Sequence, residues 1–300
     1  MDLNRTKSEI DDALLAILSE TLEEAPDRIT RPIRYAVLAP GKRVRPLLVV
    51  AAYEAAGGPA DPVENGAPRE GIHRLACGVE LVHAYSLVHD DLPCMDDDDL
   101  RRGRPSVHTQ FGVRAAILTG AGLMPMAVEV VARAAEALRL AEPVAARLIS
   151  ILTAASGGCG MVGGQLLDLQ AEGRRVELEE LEVIHEGKTA KLIEASCVMG
   201  GVAAEGDEDT IERLKRFGRA LGLAFQVVDD ILDVTGTARS MGKAGGRDAE
   251  LGKATYPMLV GVDRARQRAR SLVDRALDAI GPLPADGLER IARLVRDRQR

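Results

Sequence analysis

The sequence contains no tryptophan and has only four tyrosines and three phenylalanines among its 300 residues. Proteins that bind single-stranded nucleic acids stack bases on aromatic side chains, and this chain offers no such platform. Its net charge of -7 also argues against nucleic acid or an anionic membrane as a partner. The four cysteines show neither metal-ligand spacing nor disulfide density, which is typical of a reduced, cytoplasmic protein.

Segments that would direct the chain to or through a membrane are also missing from the pattern. Residues 2–12 carry several charges, so we expect no signal peptide. We also expect no membrane span, because we find no uncharged apolar run of sufficient length. The hydrophobic fraction of 46% and the charged fraction of 28% are ordinary for a soluble globular protein.

Helical periodicity dominates the pattern of apolar residues. Ile10, Leu14, Ile17 and Leu18 form one amphipathic stripe, whereas the strict alternation typical of strands is almost absent. No internal repeat and no linker rich in Ser or Pro divides the chain. The sequence therefore predicts one all-α domain over residues 1–300, with about ten or more helices and no sheet.

Two aspartate-rich segments stand out, at residues 90–99 and 229–233, and each follows an apolar helical run. Carboxylates concentrated at the end of an apolar run repel one another and lose hydration. Hard divalent cations are the usual partners of such oxygen-only ligand sets. We therefore interpret both segments as metal-binding clusters.

The geometry of a regular helix constrains which carboxylates act together. Asp229 and Asp233 lie about 40° apart around a helix, so both can hold one divalent ion. Asp90 and Asp96 lie about 240° apart, and a regular helix would pair Asp90 with Asp97 instead. Pro93 should end or distort the helix between them. Helix geometry thus leaves Asp96 and Asp97 as alternatives.

Basic residues accompany the acidic clusters in several places. Lys42, Arg43 and Arg45 stand at a predicted helix start, where backbone donors also favour anions. His83 lies two helical turns before Asp90, on the same face. Residues 236–252 form a Gly-rich segment that is either a surface loop or a flap over phosphates. Together these cations predict two diphosphate sites, one bound through metal and one held by Arg and Lys. The further basic candidates are Arg101, Arg102, Lys188 beside Thr189, Lys243 and Lys253.

Five motifs resemble those of the trans-prenyltransferases, the all-helical isoprenoid diphosphate synthases, over nearly the whole chain. They are the first acidic motif with Arg101-Arg102-Gly103, the stretch from Gly164 to Asp168, Lys188-Thr189, the stretch from Phe225 to Asp233, and the stretch from Gly252 to Pro257. The resemblance implies a helical bundle around a central cavity, and a homodimer. It also implies that isopentenyl diphosphate condenses with an allylic diphosphate.

The same resemblance implies roles for individual residues. Mg²⁺, as three ions with substrate bound, or Mn²⁺ in its place, is implied at Asp90, Asp96 and Asp229, with Asp91, Asp230 and Asp233 in support. This choice favours Asp96 over Asp97. The implied allylic diphosphate contacts are Arg101, Lys188, Thr189, Gln226, Lys243 and Lys253. The implied isopentenyl diphosphate contacts are Lys42, Arg45, His83 and Arg102. The implied catalytic residues are Lys188, Thr189, Gln226 and the three aspartates at 90, 96 and 229.

Product length is predicted by one aromatic residue. Tyr85 lies five residues before Asp90, roughly 7.5 Å along a helix, and its ring would end the pocket after three isoprene units. The Tyr85-Ser86 pair resembles that of bacterial farnesyl diphosphate synthases, which predicts a C15 product. A geranylgeranyl diphosphate synthase, a class I terpene cyclase and an inactive regulatory subunit are the alternatives.

Overall fold

Nearly all the secondary structure is helical in the computed structural model, which describes residues 1–59, 67–235 and 252–297. A π-helical turn, Glu186–Ala190, joins α9 to α10. The α-helices, in chain order, are α1 (Leu3–Thr21), α2 (Asp27–Val37), α3 (Val44–Ala55), α4 (Ala67–Asp90), α5 (Val107–Phe111), α6 (Val113–Ala137), α7 (Glu142–Ser156), α8 (Met161–Ala171), α9 (Leu178–His185), α10 (Lys191–Ala203), α11 (Glu208–Thr235), α12 (Tyr256–Val260), α13 (Val262–Ile280) and α14 (Asp286–Asp297). The all-α prediction is confirmed.

The expectation of no sheet fails at one small hairpin. Strand β1 (Leu100–Arg101) pairs antiparallel with β2 (Arg104–Pro105). The two residues between the strands, Arg102 and Gly103, have φ of 54° and 76°. Two consecutive positive φ angles are characteristic of a type I′ turn, whose twist matches that of the strands. Each strand has only two residues, which is too short for the period-two pattern that predicts a sheet.

Two clusters of buried side chains hold the described elements together. The main core extends from Ile10 in α1 to Val295 in α14, and its central helix α4 packs against α1, α3, α6 and α10. A separate smaller cluster, hereafter the satellite core, lies beneath the hairpin and the first acidic motif. It consists of Val88, Leu92, Val107 and Ala116, with Tyr35, Ala36, Met95 and Phe111 packed against them. A single domain across all of residues 1–300 stays a prediction.

Within the part of the chain that the structure describes, two segments are long and apolar enough to cross a membrane, Val113–Ala137 and Glu142–Ala171. Residues 157–160 interrupt the second segment, between α7 and α8. Core helices of soluble proteins meet the same two criteria of length and composition. The finding is weak evidence for a span, and it does not conflict with the expectation that the chain has none.

Candidate active site

A cavity of about 270 Å³ opens where the C-terminal parts of α4 and α11 meet the π-helical turn. It brings together residues of both acidic motifs and several of the predicted cations. Those lining it that the sequence predicted are Arg45, His83, Ser86, Asp90, Asp96, Arg101, Lys188, Thr189, Gln226, Asp233 and Lys253.

The other predicted residues that the structure describes are not among those lining the cavity. Asp229 is close enough to Arg45 for its carboxylate to oppose the fall in the pKa of that guanidinium. Arg102 borders a smaller cavity beside Arg101. Lys42 precedes α3 without lining either cavity, and Lys243 lies outside the described residues.

The first acidic motif turns back on itself directly after α4. The backbone N–H of Asp96 donates to the carbonyl of Asp90 at 2.9 Å, and that of Asp97 donates to Leu92 at 3.1 Å. Asp97 adopts the left-handed conformation, with φ of 50°. This turn places the Asp96 side chain with that of Asp90 in the cavity lining, whereas Asp97 is not among the described lining residues.

The second carboxylate of each Asp-Asp pair is not among the residues that line the cavity, and neighbouring side chains lie about 100° apart around a helix. Asp91, 2% exposed, accepts hydrogen bonds from Arg101 Nε at 2.9 Å and from Nη2 of the same guanidinium. Asp230, 2% exposed, accepts from the backbone N–H of Tyr256 at 2.9 Å and from Gln226 Nε2 at 3.1 Å. Their supporting role at a metal stays a prediction. The contacts that the structure shows are to groups that they orient.

The Asp90 carboxyl group has a raised pKa, which a bound cation would lower. Burial raises the pKa of Asp90 to about 6; the Lys188 ammonium opposes this shift, whereas the Asp96 and Asp91 carboxylates add to it. A carboxylate that is this difficult to ionise gains from a neighbouring positive ion.

No group of three or more His, Cys, Asp or Glu side chains suited to one metal ion occurs among the residues that the structure describes. Mg²⁺ is commonly held by one or two carboxylates together with substrate phosphates rather than by an all-protein cage. Asp90 and Asp96, both cavity-lining oxygen donors, fit that mode of binding. The donor set therefore suits a magnesium ion shared with a diphosphate.

Two lysines and one further aspartate form an ion network across the cavity. Lys188 Nζ lies 2.6 Å from Asp168 Oδ2, and Lys253 Nζ lies 2.7 Å from Asp96 Oδ1 and 3.3 Å from Asp168. Burial alone would lower the pKa of Lys188, but the Asp168, Asp90 and Asp96 carboxylates outweigh it and the net pKa is raised. Both lysines therefore remain cations that can bind phosphate oxygens.

Asp168 is a site residue that the sequence reasoning did not assign. The signal was present, because Asp168 ends one of the recognised motifs, three residues after Gln165. Both side chains face the cavity region, where Gln165 Nε2 approaches Asp96 Oδ1 at 3.5 Å. His185 was missed as well; it lines the cavity, with its Nε2 3.5 Å from Asp230.

The π-helical turn presents Lys188 and Thr189 to the cavity. Such wider turns are rare and frequently mark functional sites. Helix α8 packs directly against this turn at Gly164, where an added Cβ would collide with the backbone nitrogen of Lys188. Thr189 Oγ1 donates to Gln226 Oε1 at 2.7 Å, so the Gln226 amide is held at both its oxygen and its nitrogen.

On the opposite side of Asp90, three cationic or titratable groups converge. Arg102 Nη1 donates to the Pro40 carbonyl at 2.8 Å, and its guanidinium passes 2.5 Å from where a Cβ on Gly41 would be. The buried Arg45 Nε has no hydrogen-bond partner in the described part of the chain. Burial lowers the pKa of His83 well below its usual value, and the Arg45 and Arg102 charges lower it further. The Arg45 and Arg102 guanidiniums therefore suit this side of the cavity to an anion.

Ser86 lines the cavity, and Tyr85 lies beside it on α4. The Tyr85 ring packs edge-on against His89, with ring centroids 4.9 Å apart. His89 Nε2 in turn lies 3.2 Å from the Ile117 carbonyl of α6. The half-buried Tyr85 is therefore on the side of α4 that faces α6.

The polyprenyl synthetase family model matches residues 26–284. The chain belongs to the polyprenyl synthetase family. Farnesyl diphosphate synthase of Bacillus subtilis (strain 168) is 41% identical over 273 residues, covering 90% of this chain and 87% of that protein. Chloroplastic geranylgeranyl pyrophosphate synthase 11 of Arabidopsis thaliana is 44% identical over 266 residues, covering 88% and 71%. Geranyltransferase of Helicobacter pylori, solved with magnesium and isoprenyl diphosphate, superposes with a TM-score of 0.80 at 34% identity, covering 97% and 96%. The resemblance predicted from the motifs is confirmed, by the family match and by the fold that the chain shares with its structural relatives.

Proposed function

We propose that this protein condenses isopentenyl diphosphate head to tail with dimethylallyl and geranyl diphosphate, with Mg²⁺, and releases mainly farnesyl diphosphate. Trans-prenyltransferase activity follows from membership of the family. The proposal rests on one observation: the 270 Å³ cavity has acidic residues along one side and basic residues along the other. Asp90, Asp96 and Asp233 border one part of it, and Arg45 with His83 borders the other.

The allylic diphosphate is assigned to the carboxylate side. Lys188, Lys253 and Arg101 supply its direct cationic contacts, and Lys243 is proposed as a further contact from its place in the sequence. Asp90, Asp96, Asp229 and Asp233 would hold Mg²⁺, as three ions, or Mn²⁺ in its place. When bound, the metal neutralises negative charge on the diphosphate, which makes it a better leaving group.

Isopentenyl diphosphate is assigned to the basic side. Arg45 and Arg102 provide planar donors for phosphate oxygens, and Lys42 adds a third charge. His83 remains neutral because its pKa is depressed, so it serves as a hydrogen-bond donor. This arrangement sets the double bond of isopentenyl diphosphate towards the allylic carbon.

The reaction then needs no protein nucleophile. The allylic C–O bond breaks, its electron pair departs with diphosphate, and the isopentenyl double bond attacks the resulting carbocation. A proton is lost from C2 of the isopentenyl unit to the released diphosphate. Thr189 donates its own hydrogen to Gln226, so its oxygen presents lone pairs that stabilise positive charge without bonding to it. Closure of the site against water protects the cation.

Tyr85 supports farnesyl diphosphate as the main product, because its ring stands beside the cavity-lining Ser86, on the side of α4 towards α6. Geranylgeranyl diphosphate is the second candidate, since several geranylgeranyl pyrophosphate synthases are 43–44% identical to this chain. A terpene cyclase or an inactive subunit is less well supported. The chain keeps Asp229 and Asp233 as well as the basic side of the site.

We further propose that a second copy of this chain covers an exposed apolar surface on α6 and α8. Six large apolar side chains there are between 40% and 60% exposed: Val113, Ile117, Leu118, Val162, Leu166 and Leu167. Exposed large apolar side chains concentrated on two helices are typical of protein interfaces. Sedimentation should report a dimer that Leu118→Asp disrupts, whereas Leu294→Asp on the exposed side of α14 should not. A monomeric wild type would contradict the assignment.

A cytoplasmic location also stays a prediction.

The function is tested by steady-state condensation assays with a matched pair of lysine variants. Lys188→Ala removes a buried cation at the cavity, and we expect kcat/KM for the allylic substrate to fall by about 100-fold. Lys191→Ala removes a cation only three residues away whose ion pairs are with Glu186 and Glu194, and we expect wild-type rates. Chelation of Mg²⁺ should stop both enzymes. Equal losses in the two variants, or activity without metal, would contradict the assignment.

A further inference from the structure

The basic side of the active site contains charges that repel one another. Arg102 lies close enough to Arg43 and Arg101 for their charges to add to the burial that lowers its pKa. Burial lowers the pKa of Arg45; the Glu80 and Asp229 carboxylates oppose this shift, and the Arg102 charge adds to it. Repulsion between buried cations tends to separate the elements that carry them. The hairpin that carries Arg102 must therefore be held in place by other contacts.

Tyr35 in α2 makes three contacts with the segment after that turn. Its hydroxyl donates to the Pro105 carbonyl at 2.7 Å. The Arg104 guanidinium lies over its ring, with the central carbon 4.2 Å from the ring centroid. The ring also meets the edge of Phe111 in α5, with centroids 5.2 Å apart. One side chain thus grips both residues of β2 and the helix that follows it.

The packing around the hairpin makes these contacts important. A cavity of about 40 Å³ lies beneath it, bordered by Tyr35, Leu87 and Arg104 among others. Atoms that face a void lose their dispersion partners, so close packing stabilises the hairpin less here. The polar contacts of Tyr35 therefore contribute more to holding the hairpin in place. Tyr35 is also part of the satellite core, which includes Leu92 and Met95 of the first acidic motif.

Helix α2 leads directly to the other half of the basic side. Helix α2 ends at Val37. Three residues later the Pro40 carbonyl accepts from Arg102, and Lys42 and Arg45 follow. Tyr35 therefore fixes the distance between two separate segments, one carrying Arg102 and the other carrying Lys42 and Arg45. Tyr35 belongs to none of the motifs and does not line the 270 Å³ cavity.

We propose that Tyr35 is a positioning residue for isopentenyl diphosphate, acting through its grip on Arg104 and Pro105. The inference rests on the proposed function, since it assumes that Arg45 and Arg102 bind this substrate. It predicts an effect confined to one of the two substrates. Loss of a merely structural contact would instead lower stability and affect both substrates alike.

The experiment compares Tyr35→Phe, which removes only the hydroxyl, with the wild type. The loss of one hydrogen bond should raise the Kd of isopentenyl diphosphate, measured by calorimetric titration, about threefold to tenfold. Its KM should rise by a similar factor, while the allylic KM and kcat stay within about twofold. Arg104→Ala should have a similar effect, and the double variant should lose less than the product of the two, because both act through one contact.

Arg34→Ala is the matched control. Arg34 is also in α2, but it donates to Leu18 and Ser19 of α1, away from the hairpin. The inference alone would be overturned if Tyr35→Phe left the ratio of the isopentenyl diphosphate KM to the allylic KM unchanged. It would also be overturned if Arg34→Ala changed that ratio to the same extent. A wild type that neither binds isopentenyl diphosphate nor condenses it would overturn the proposed function and this inference with it.

Discussion

Replacing Asp90 by asparagine should stabilise the metal-free protein while abolishing its activity. The pKa of Asp90 rises from 3.8 to about 6 on folding because burial outweighs the opposing charge of Lys188, and the Asp96 and Asp91 carboxylates add to the rise. A difference of about 2 pKa units corresponds to roughly 3 kcal/mol against the folded, ionised state, and asparagine carries no such charge. We therefore expect Asp90→Asn to raise the free energy of unfolding by up to about 3 kcal/mol at neutral pH.

The sign of the effect determines its pH dependence. Because the folded pKa of Asp90 lies above the unfolded value, the wild type loses stability as pH rises from 3.8 to about 6. The advantage of the variant should be small near pH 4 and complete above pH 6. Urea unfolding in the presence of a chelator, followed by circular dichroism at both pH values, measures it.

Asp99→Asn is the control for this comparison, because the Asp99 side chain is 83% exposed within the same motif. We expect its free energy of unfolding to remain within about 0.5 kcal/mol of the wild type. Adding Mg²⁺ with inorganic diphosphate should stabilise the wild type more than Asp90→Asn. The reasoning is refuted if Asp90→Asn is less stable than the wild type at pH 7, or if its advantage does not change with pH.

Three further predictions concern the cavity and its walls. Asp168→Asn removes the carboxylate that Lys188 and Lys253 share, so the allylic KM should rise about tenfold in steady-state assays; an unchanged KM would disprove its role. Tyr85→Ala should lengthen the product beyond C15 in chromatographic analysis, and unchanged C15 output would show that the ring does not end the pocket. Gly164→Ala places a Cβ against the π-helical turn and should lower both melting temperature and activity, whereas Gly158→Ala, with open space around it, should change neither; equal behaviour of the two would contradict the packing argument.

Much of the site could be predicted because its chemistry is concentrated in short motifs. Asp90, Lys188 and Gln226 were each recognisable from their immediate neighbours, and the structure brings all three to one cavity. The all-α fold followed from periodicity, since helices dominate and the one hairpin is too short to leave a pattern. Regular helix geometry alone would pair Asp90 with Asp97. The turn around Pro93 brings Asp96 to Asp90 instead, through backbone hydrogen bonds that periodicity does not encode.

Other features depend on contacts between distant parts of the chain. Asp168 is identified as a site residue by its ion pair with Lys253. Tyr35 is identified by its hydrogen bond to Pro105, 70 residues away. That Asp91 does not line the cavity beside Asp90 could have been expected from the 100° between adjacent helical residues. Arg101 and Tyr256, however, the partners of Asp91 and Asp230, are brought to them by the tertiary fold.

The most direct test of the central claim is product analysis after incubation with Mg²⁺, isopentenyl diphosphate and dimethylallyl diphosphate. We predict a prenyl diphosphate product, with the C15 compound dominant and geranyl diphosphate accepted as a primer. A dominant C20 product would keep the chemistry and refute the role of Tyr85. Absence of condensation with either primer would contradict the account that the two sides of the cavity hold two reacting diphosphates.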